Sequence, residues 1–398
     1  MKVLHITATD ANGAGIAALR IVEAQRQNGI DANLLVRDKS SSHDYVLEFY
    51  KFKYIDYALN LFLKLFGLDY IYSLNGLFIT RSRIFKTADI IHIHNIHHVR
   101  LLHPLMLPRK KRYLYTLHDM WAITGNCNYN YDLCDRYRNG CFDCPMNKDA
   151  KKWGFPKMFV DNVKGQWVLK RNAYSKLKIF FVSPSEWLAG RARNSDIIKG
   201  KQVYVIPNCY EDISAEFLPK RTAIVGPIKI LFIGQKIRDN DRKGFYFMAK
   251  ALNSLPFQHE IHIVGKMNDD FEKYFTNPLT KISFHGPVDE NKMKLHYQNC
   301  HVFVLPSLQD NLPNTILESM CYATPVVAFN VGGINEIVNS SNGYLARYKD
   351  VDDLANGIRF VNDRFLETSD GAFETSLNFT YKKNFISHVK CYNQLLNS

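Results

Sequence analysis

Short, β-branched apolar runs recur along this chain at helix-length intervals, and they arrive in two series. The first occupies residues 3–7, 34–36, 90–93, 113–117, 179–182 and 203–206; the second occupies 229–233, 260–264, 282–285, 302–305 and 326–329. A strand that is apolar on both faces needs cover on both, and the amphipathic lengths between the runs can supply it. Each series therefore predicts βαβ units wound into a parallel sheet. Between them, residues 207–227 are bounded by Pro207 and Pro227, contain Pro219 and mix polarities, as a linker does. The 398 residues suit two cores of about 200 residues each. The expected fold class is α/β, with two doubly wound Rossmann-like domains facing an interdomain cleft. The first covers 1–206 and is closed by a C-terminal helix over 378–398, where Phe385, Val389, Tyr392 and Leu396 fall at helical spacing; the second covers 228–377. Open parallel sheets bind ligands beyond the carboxyl ends of their strands, so the chemistry is expected in that cleft.

The formal charge of +13 favours anionic partners, among them nucleotide phosphates, anionic lipid and nucleic acid. The opening MKVLHITAT is too brief for a secretory core, and the most apolar stretch, 57–79, is cut by Lys64 and Asp69. A cytoplasmic chain is expected, with reduced thiols.

Residues 306–337 (PSLQDNLPNTILESMCYATPVVAFNVGGINEI) carry the densest chemistry. Asp310 follows a strand, and a turn through Asn311, Leu312 and Pro313 leads into a helix whose first residues, Asn314 and Thr315, offer free amides to an anion. Glu318, about two turns on, can accept hydrogen bonds from vicinal hydroxyls such as those of ribose. A capped helix with a solvated carboxylate is the plainer reading of the same residues. Upstream, residues 230–245 (ILFIGQKIRDNDRKGF) run from a strand through Gly234 into a basic loop with Arg242 and Lys243, cations able to stabilise a departing diphosphate.

In the first half, residues 10–16 (DANGAGI) place Gly13 and Gly15 after the first strand, where backbone could approach a ligand or simply turn tightly. A third glycine and an acidic ribose partner are missing, which disfavours a nicotinamide enzyme. His118 follows a strand in Thr-Leu-His-Asp-Met-Trp and should project at a cleft edge, able to donate or accept a hydrogen bond.

Together these motifs resemble the retaining family-four glycosyltransferases of the GT-B fold, of the type that builds surface polysaccharides. Asp310, Glu318, residues 324–327 (TPVV), Gly332 and Gly333 match the donor signature, although many members have glutamate where this chain has Asp310. The resemblance implies a nucleotide-diphosphate sugar donor and a glycan acceptor, lipid-linked, with transfer by front-face retention and no catalytic cofactor. It makes His118, Lys243 and Asp310 the catalytic set. Donor binding falls to Gly13, Gly15, Gly234, Arg242, Lys243, the 285–288 turn (HGPV) with Val288, residues Asn311 to Thr315, and Glu318. The family's arginine near Gln235 is missing, so Lys236, Arg238 or Arg242 would replace it. Two Asp-x-Asp pairs, Asp239 with Asp241 and Asp350 with Asp352, lie too late for a metal-dependent GT-A enzyme.

Cys127, Cys134, Cys141 and Cys144 could close a structural zinc site, form a redox pair or simply pack as reduced thiols. Residues 50–66 (YKFKYIDYALNLFLKLF) read as a buried domain helix, or as an interfacial helix making peripheral contact with an anionic membrane at its inner face. The alternatives to glycosyl transfer are a sugar-nucleotide epimerase or hydrolase on the same fold, and a basic zinc-containing nucleic-acid-binding protein; no nucleic-acid partner is expected.

Overall fold

The computed structural model describes residues 1–11, 13–68, 70–97, 101–130, 134–148, 160–211, 221–234, 242–267 and 270–398. Seven strands form the first sheet: β1 (Lys2–Thr9), β2 (Asp31–Asp38), β3 (Val46–Glu48), β4 (Ile90–Ile93), β5 (Arg112–Thr116), β6 (Lys178–Ser183) and β7 (Val203–Val205), in spatial order β3-β2-β1-β4-β5-β6-β7. Six form the second: β8 (Ile228–Gly234), β9 (His259–Gly265), β10 (Thr280–Gly286), β11 (Val302–Leu305), β12 (Val326–Phe329) and β13 (Gly343–Ala346), in order β10-β9-β8-β11-β12-β13. Every pairing within them is parallel. Both sheets are thus doubly wound and Rossmann-like, with switch points between β1 and β4 and between β8 and β11. There the diverging connections leave a crevice beyond the carboxyl ends.

The chain divides into two compact units, Met1–Cys209 with Tyr381–Ser398, and Tyr210–Thr380. Each of the predicted apolar runs falls on a strand, Leu117 and Ile206 lying one residue beyond theirs. The runs missed are β3 and β13, three and four residues long, whose half-exposed positions break the continuous apolar signal.

The last helix, Tyr381–Leu396, packs Cys391, Tyr392 and Leu395 against Val3, Ile90, Leu114 and Val182 of the first sheet. Its buried stripe is rotated from the expected one. Asn384 and His388 are buried, while Phe385, Val389 and Leu396 are half-buried. The cause is polar: Asn384 donates to the Pro207 carbonyl at 2.7 Å, which fixes the helix by a hydrogen bond as well as by apolar area.

Candidate functional site

In the C-terminal unit, the residues after β11 meet the turn before the helix Phe245–Asn253. Gly244 makes that turn possible. Its φ is +74°, and a Cβ there would sit 1.9 Å from the Pro306 carbonyl oxygen. Close approach of the two segments brings Lys243 Nζ to 2.8 Å and Arg242 Nη1 to 3.1 Å from the same oxygen, Oδ2 of Asp310. Arg242 also donates to the Gln309 carbonyl at 2.7 Å, and the Ser307 hydroxyl donates to Asp310 at 3.3 Å. Burial alone would push the Asp310 carboxyl up, but Lys243 and Arg242 outweigh it and hold the group down at about 2. Asp310 is therefore a buried anion already committed to two cations. Gly332 closes the loop behind it: with φ +61°, a Cβ there would lie 1.7 Å from the Asp310 carbonyl oxygen, and Gly333 N donates to Asn311 O at 2.9 Å.

The helix Asn314–Cys321 starts from Pro313 without a side-chain cap. The Ile316 amide turns back to the Pro313 carbonyl at 3.1 Å, and the buried Thr315 hydroxyl has no hydrogen-bond partner among the described residues. Glu318 is buried and accepts from the Tyr297 hydroxyl at 2.8 Å. Leu312 is buried in the core below, and Val288 packs at the margin of the same cluster. Gly234 ends β8 at the switch point. Lys236, Arg238, Asp239 and Asp241 lie outside the described residues, as does the 212–220 part of the expected linker.

In the N-terminal unit, Gly15 opens the helix Gly13–Gln27 against β1, where a Cβ would lie 1.9 Å from Thr9 O, while Gly13 faces open space. The nearby Asp10 is a loop clamp, accepting from the amides of Ser40 and Ser41 at 2.8 Å each. His118 lies just past β5, and behind it runs a buried series that sequence reasoning missed. His118 Nε2 is 3.0 Å from His94 Nδ1, His94 Nε2 is 2.9 Å from His5 Nδ1, and His5 Nε2 is 3.0 Å from Gln25 Oε1. Gln25 Nε2 donates to the Tyr392 hydroxyl at 2.9 Å; that hydroxyl is 2.7 Å from His92 Nδ1, and His92 Nε2 is 2.7 Å from Thr116 Oγ1. Burial lowers His118 to about 4 and His5 to about 3, and takes His92 and His94 well below their ordinary value, so all four are neutral at pH 7. A neutral imidazole donates once and accepts once. With Gln25 donating to Tyr392, the series fixes each tautomer in turn, and His118 donates its Nε2–H to His94. The one available sequence signal was the His-x-His spacing of 92 and 94, which puts both rings on one face of a strand.

The four cysteines line a single cavity together with Thr124, Asn126 and Tyr137. Cys127 donates to Cys144, and with the amides of Asn147 and Met146 this outweighs burial and lowers Cys144 to about 7. Among the described residues, the sets of three ligand atoms that all lie within 4.8 Å of one another are two histidine groups, His5/His92/His94 and His262/His285/His296. Lys170, also missed, is fully buried beside this loop, donating to the carbonyls of Trp121 and Thr124 at 2.7 and 2.9 Å.

The helix Lys53–Lys64 reverses the buried-helix expectation. Its polar Asp56 and Asn60 are buried, while Tyr54 is 83% exposed, Phe62 58% and Phe66, just beyond, 53%. Asp56 causes this, accepting from Ser73 Oγ at 2.7 Å, from Leu74 N at 2.6 Å, and from the backbone and side chain of Asn75. Among the described residues, no helix is long and apolar enough to cross a membrane.

Solved structures define the class of fold. The chain aligns over its full length with all of sucrose-phosphate synthase from Thermosynechococcus elongatus, at a TM-score of 0.67 and 14% identity. It aligns over 99% with all of Anabaena Alr3699/HepE in complex with UDP, at 0.59 and 14%. This is the GT-B fold of two Rossmann-like domains. Residues 227–363 match the family Glycosyl transferases group 1. The chain is also 25% identical, over 58% of its length and 55% of the relative's, to the putative colanic acid biosynthesis glycosyl transferase WcaC of Escherichia coli strain K12. It thus spans about half the length of the curated relatives it matches.

Proposed function

We propose that this chain is a retaining glycosyltransferase that takes a sugar from a nucleotide-diphosphate donor, held by its C-terminal unit, and passes it to a glycan acceptor carried on a lipid. The observation that carries the reading is the group formed by Arg242, Lys243 and Asp310 beside the uncapped helix Asn314–Cys321. Two cations held by one buried carboxylate are preorganised to receive a diphosphate, and they stabilise most strongly the charge that grows as it departs. Thr315, with its unpartnered hydroxyl, and the first amides of the helix suit phosphate oxygens. Glu318, fixed by Tyr297, suits the ribose hydroxyls. His118, as a neutral group, is assigned to the transferred sugar. The name of the colanic acid relative supports a polysaccharide product, and the UDP complex of HepE makes UDP the first probe.

The exposed aromatic face of Lys53–Lys64, flanked by the exposed Lys51 and Lys53, supports peripheral seating on an anionic bilayer, where a lipid-linked acceptor resides. The four cysteines line one cavity but no three of their sulfurs come within 4.8 Å of one another, so a structural zinc there would need them to close in; metal content before and after Cys134→Ser checks it.

Thermal shift with UDP, GDP and their sugars tests the donor site, because a ligand that binds only the folded chain raises its melting temperature. Lys243→Ala and Glu318→Ala are each expected to lower affinity for the best nucleotide by about 10- to 100-fold, the loss of a charge-assisted hydrogen bond. Undiminished shifts in both variants would refute the pocket.

A further inference from the structure

At one face of the C-terminal sheet, two strand histidines and one from a helix bring together side chains that the donor reading leaves unused. In the parallel pairing of β9 with β10, His262 lies opposite Ser283. The two-residue period then puts Glu260 and His262 of β9 on the same face as Lys281, Ser283 and His285 of β10. The register shifts between Phe284 and Gly286, so His285 is the extra residue of a bulge, a device that re-aims a side chain. Its ring lies edge to edge and nearly coplanar with that of His262, with centroids 5.2 Å apart and planes 1° from parallel, and His262 Nδ1 lies 3.0 Å from His285 Nε2. The helix Glu290–Asn299 brings the His296 ring to 4.4 Å from that of His285. One ring nitrogen of each histidine falls within 4.8 Å of the other two.

The spacing of the two nearer rings is close to that of a metal centre. Two imidazole nitrogens on one tetrahedral zinc-sized ion, each at about 2.0–2.1 Å, stand about 3.3 Å apart, a few tenths of an ångström from the spacing between His262 and His285. Glu260 Oε1 lies 3.5 Å from the other nitrogen of His262 and is itself held by the Ser283 hydroxyl at 2.8 Å and by Lys281 Nζ at 3.3 Å. A carboxylate behind a histidine is the usual outer support of a metal ligand. His285 is exposed, which leaves a path for an ion from solvent.

We propose that His262, His285 and His296 form a binding site for one divalent transition-metal ion of the zinc class, with Glu260 orienting His262 and solvent completing the coordination. Three imidazoles suit zinc, copper or nickel; magnesium and calcium prefer oxygen ligands. The ion would staple the β10 bulge to the following helix and so stiffen the 285–288 turn. The site borders the turn assigned to the donor, but its test reads metal rather than nucleotide, so the failure of either reading can be told apart.

The test is cobalt(II) titration of the full-length, chelator-stripped chain, followed by displacement with zinc. A nitrogen-ligated site gives visible cobalt bands without thiolate charge transfer, which separates it from any cysteine site; Cys134→Ser should leave these bands intact. His285→Asn and His296→Ala should each remove them, and Glu260→Gln should weaken zinc binding by about 10- to 100-fold. Because His285 is exposed on a bulge, His285→Asn should melt like the parent in the presence of chelator. Absence of nitrogen-only cobalt bands in the parent, or their survival in His285→Asn, would show that the two nearest rings merely share a proton, and would overturn the proposal.

Discussion

Asp310 is the residue on which the proposed donor site turns, and its ionisation makes a measurable claim. Lys243 and Arg242 hold it at about 2, against 3.8 for an ordinary aspartate. A depressed carboxylate contributes stability that is fully present above pH 3.8 and lost as pH falls through 2. The expected contribution is about 2 kcal/mol. Urea unfolding of Asp310→Asn should accordingly fall short of the parent at pH 6 and approach it only near pH 2; an equal deficit at both values would mean that the ion pairs are not its source. Gly332→Ala probes the same carboxylate from behind. Forcing a Cβ to 1.7 Å from the Asp310 carbonyl, at φ +61°, should cost about 1–3 kcal/mol and displace the loop, lowering both melting temperature and nucleotide affinity. The types of these residues were legible in the sequence, but their pairing was not. Lys243 and Asp310 are 67 residues apart and meet only because β11 lies beside β8.

At the scale of the element, the helix Lys53–Lys64 shows what periodicity leaves open. An amphipathic repeat says that a helix has two faces, and it does not say which face turns inward. Asp56 decides it by capturing the hydroxyl and amides of residues 73–75, and the aromatic face is left outside. Replacing Tyr54, Phe62 and Phe66 together by serine removes apolar area without touching Asp56. The triple variant should keep the parent's melting temperature and lose most of its co-sedimentation with vesicles containing phosphatidylglycerol. Equal sedimentation of variant and parent would rule out seating through this face. The strands were legible for the opposite reason. Burial on both faces leaves a continuous apolar run, and a run of that kind has no face to misassign.

The N-terminal unit as a whole buries His5, His92, His94, His103 and His388 and half-buries His118, and desolvation lowers every one of them. Unfolding returns each to about 6.5, so below that pH the unfolded chain binds more protons than the folded one and stability falls as pH falls. The expected loss is about 1.4 kcal/mol per histidine at pH 5.5. Urea midpoints should therefore drop steeply between pH 7 and pH 5; a flat profile would mean that these rings do not stay neutral in the folded unit. The hydrogen-bonded series that unites four of them joins residues as far apart as Gln25 and Tyr392, a contact made through packing of the last helix and recorded in no local pattern. What the sequence determined by itself is local: strand and helix periods and turn glycines, because each follows from neighbours along the chain. Only the tertiary structure decided which buried charge answers which cation, which face of a helix meets water and which imidazoles share protons. Those choices depend on segments brought together by strand order and on the cost of burying a polar group without its partner.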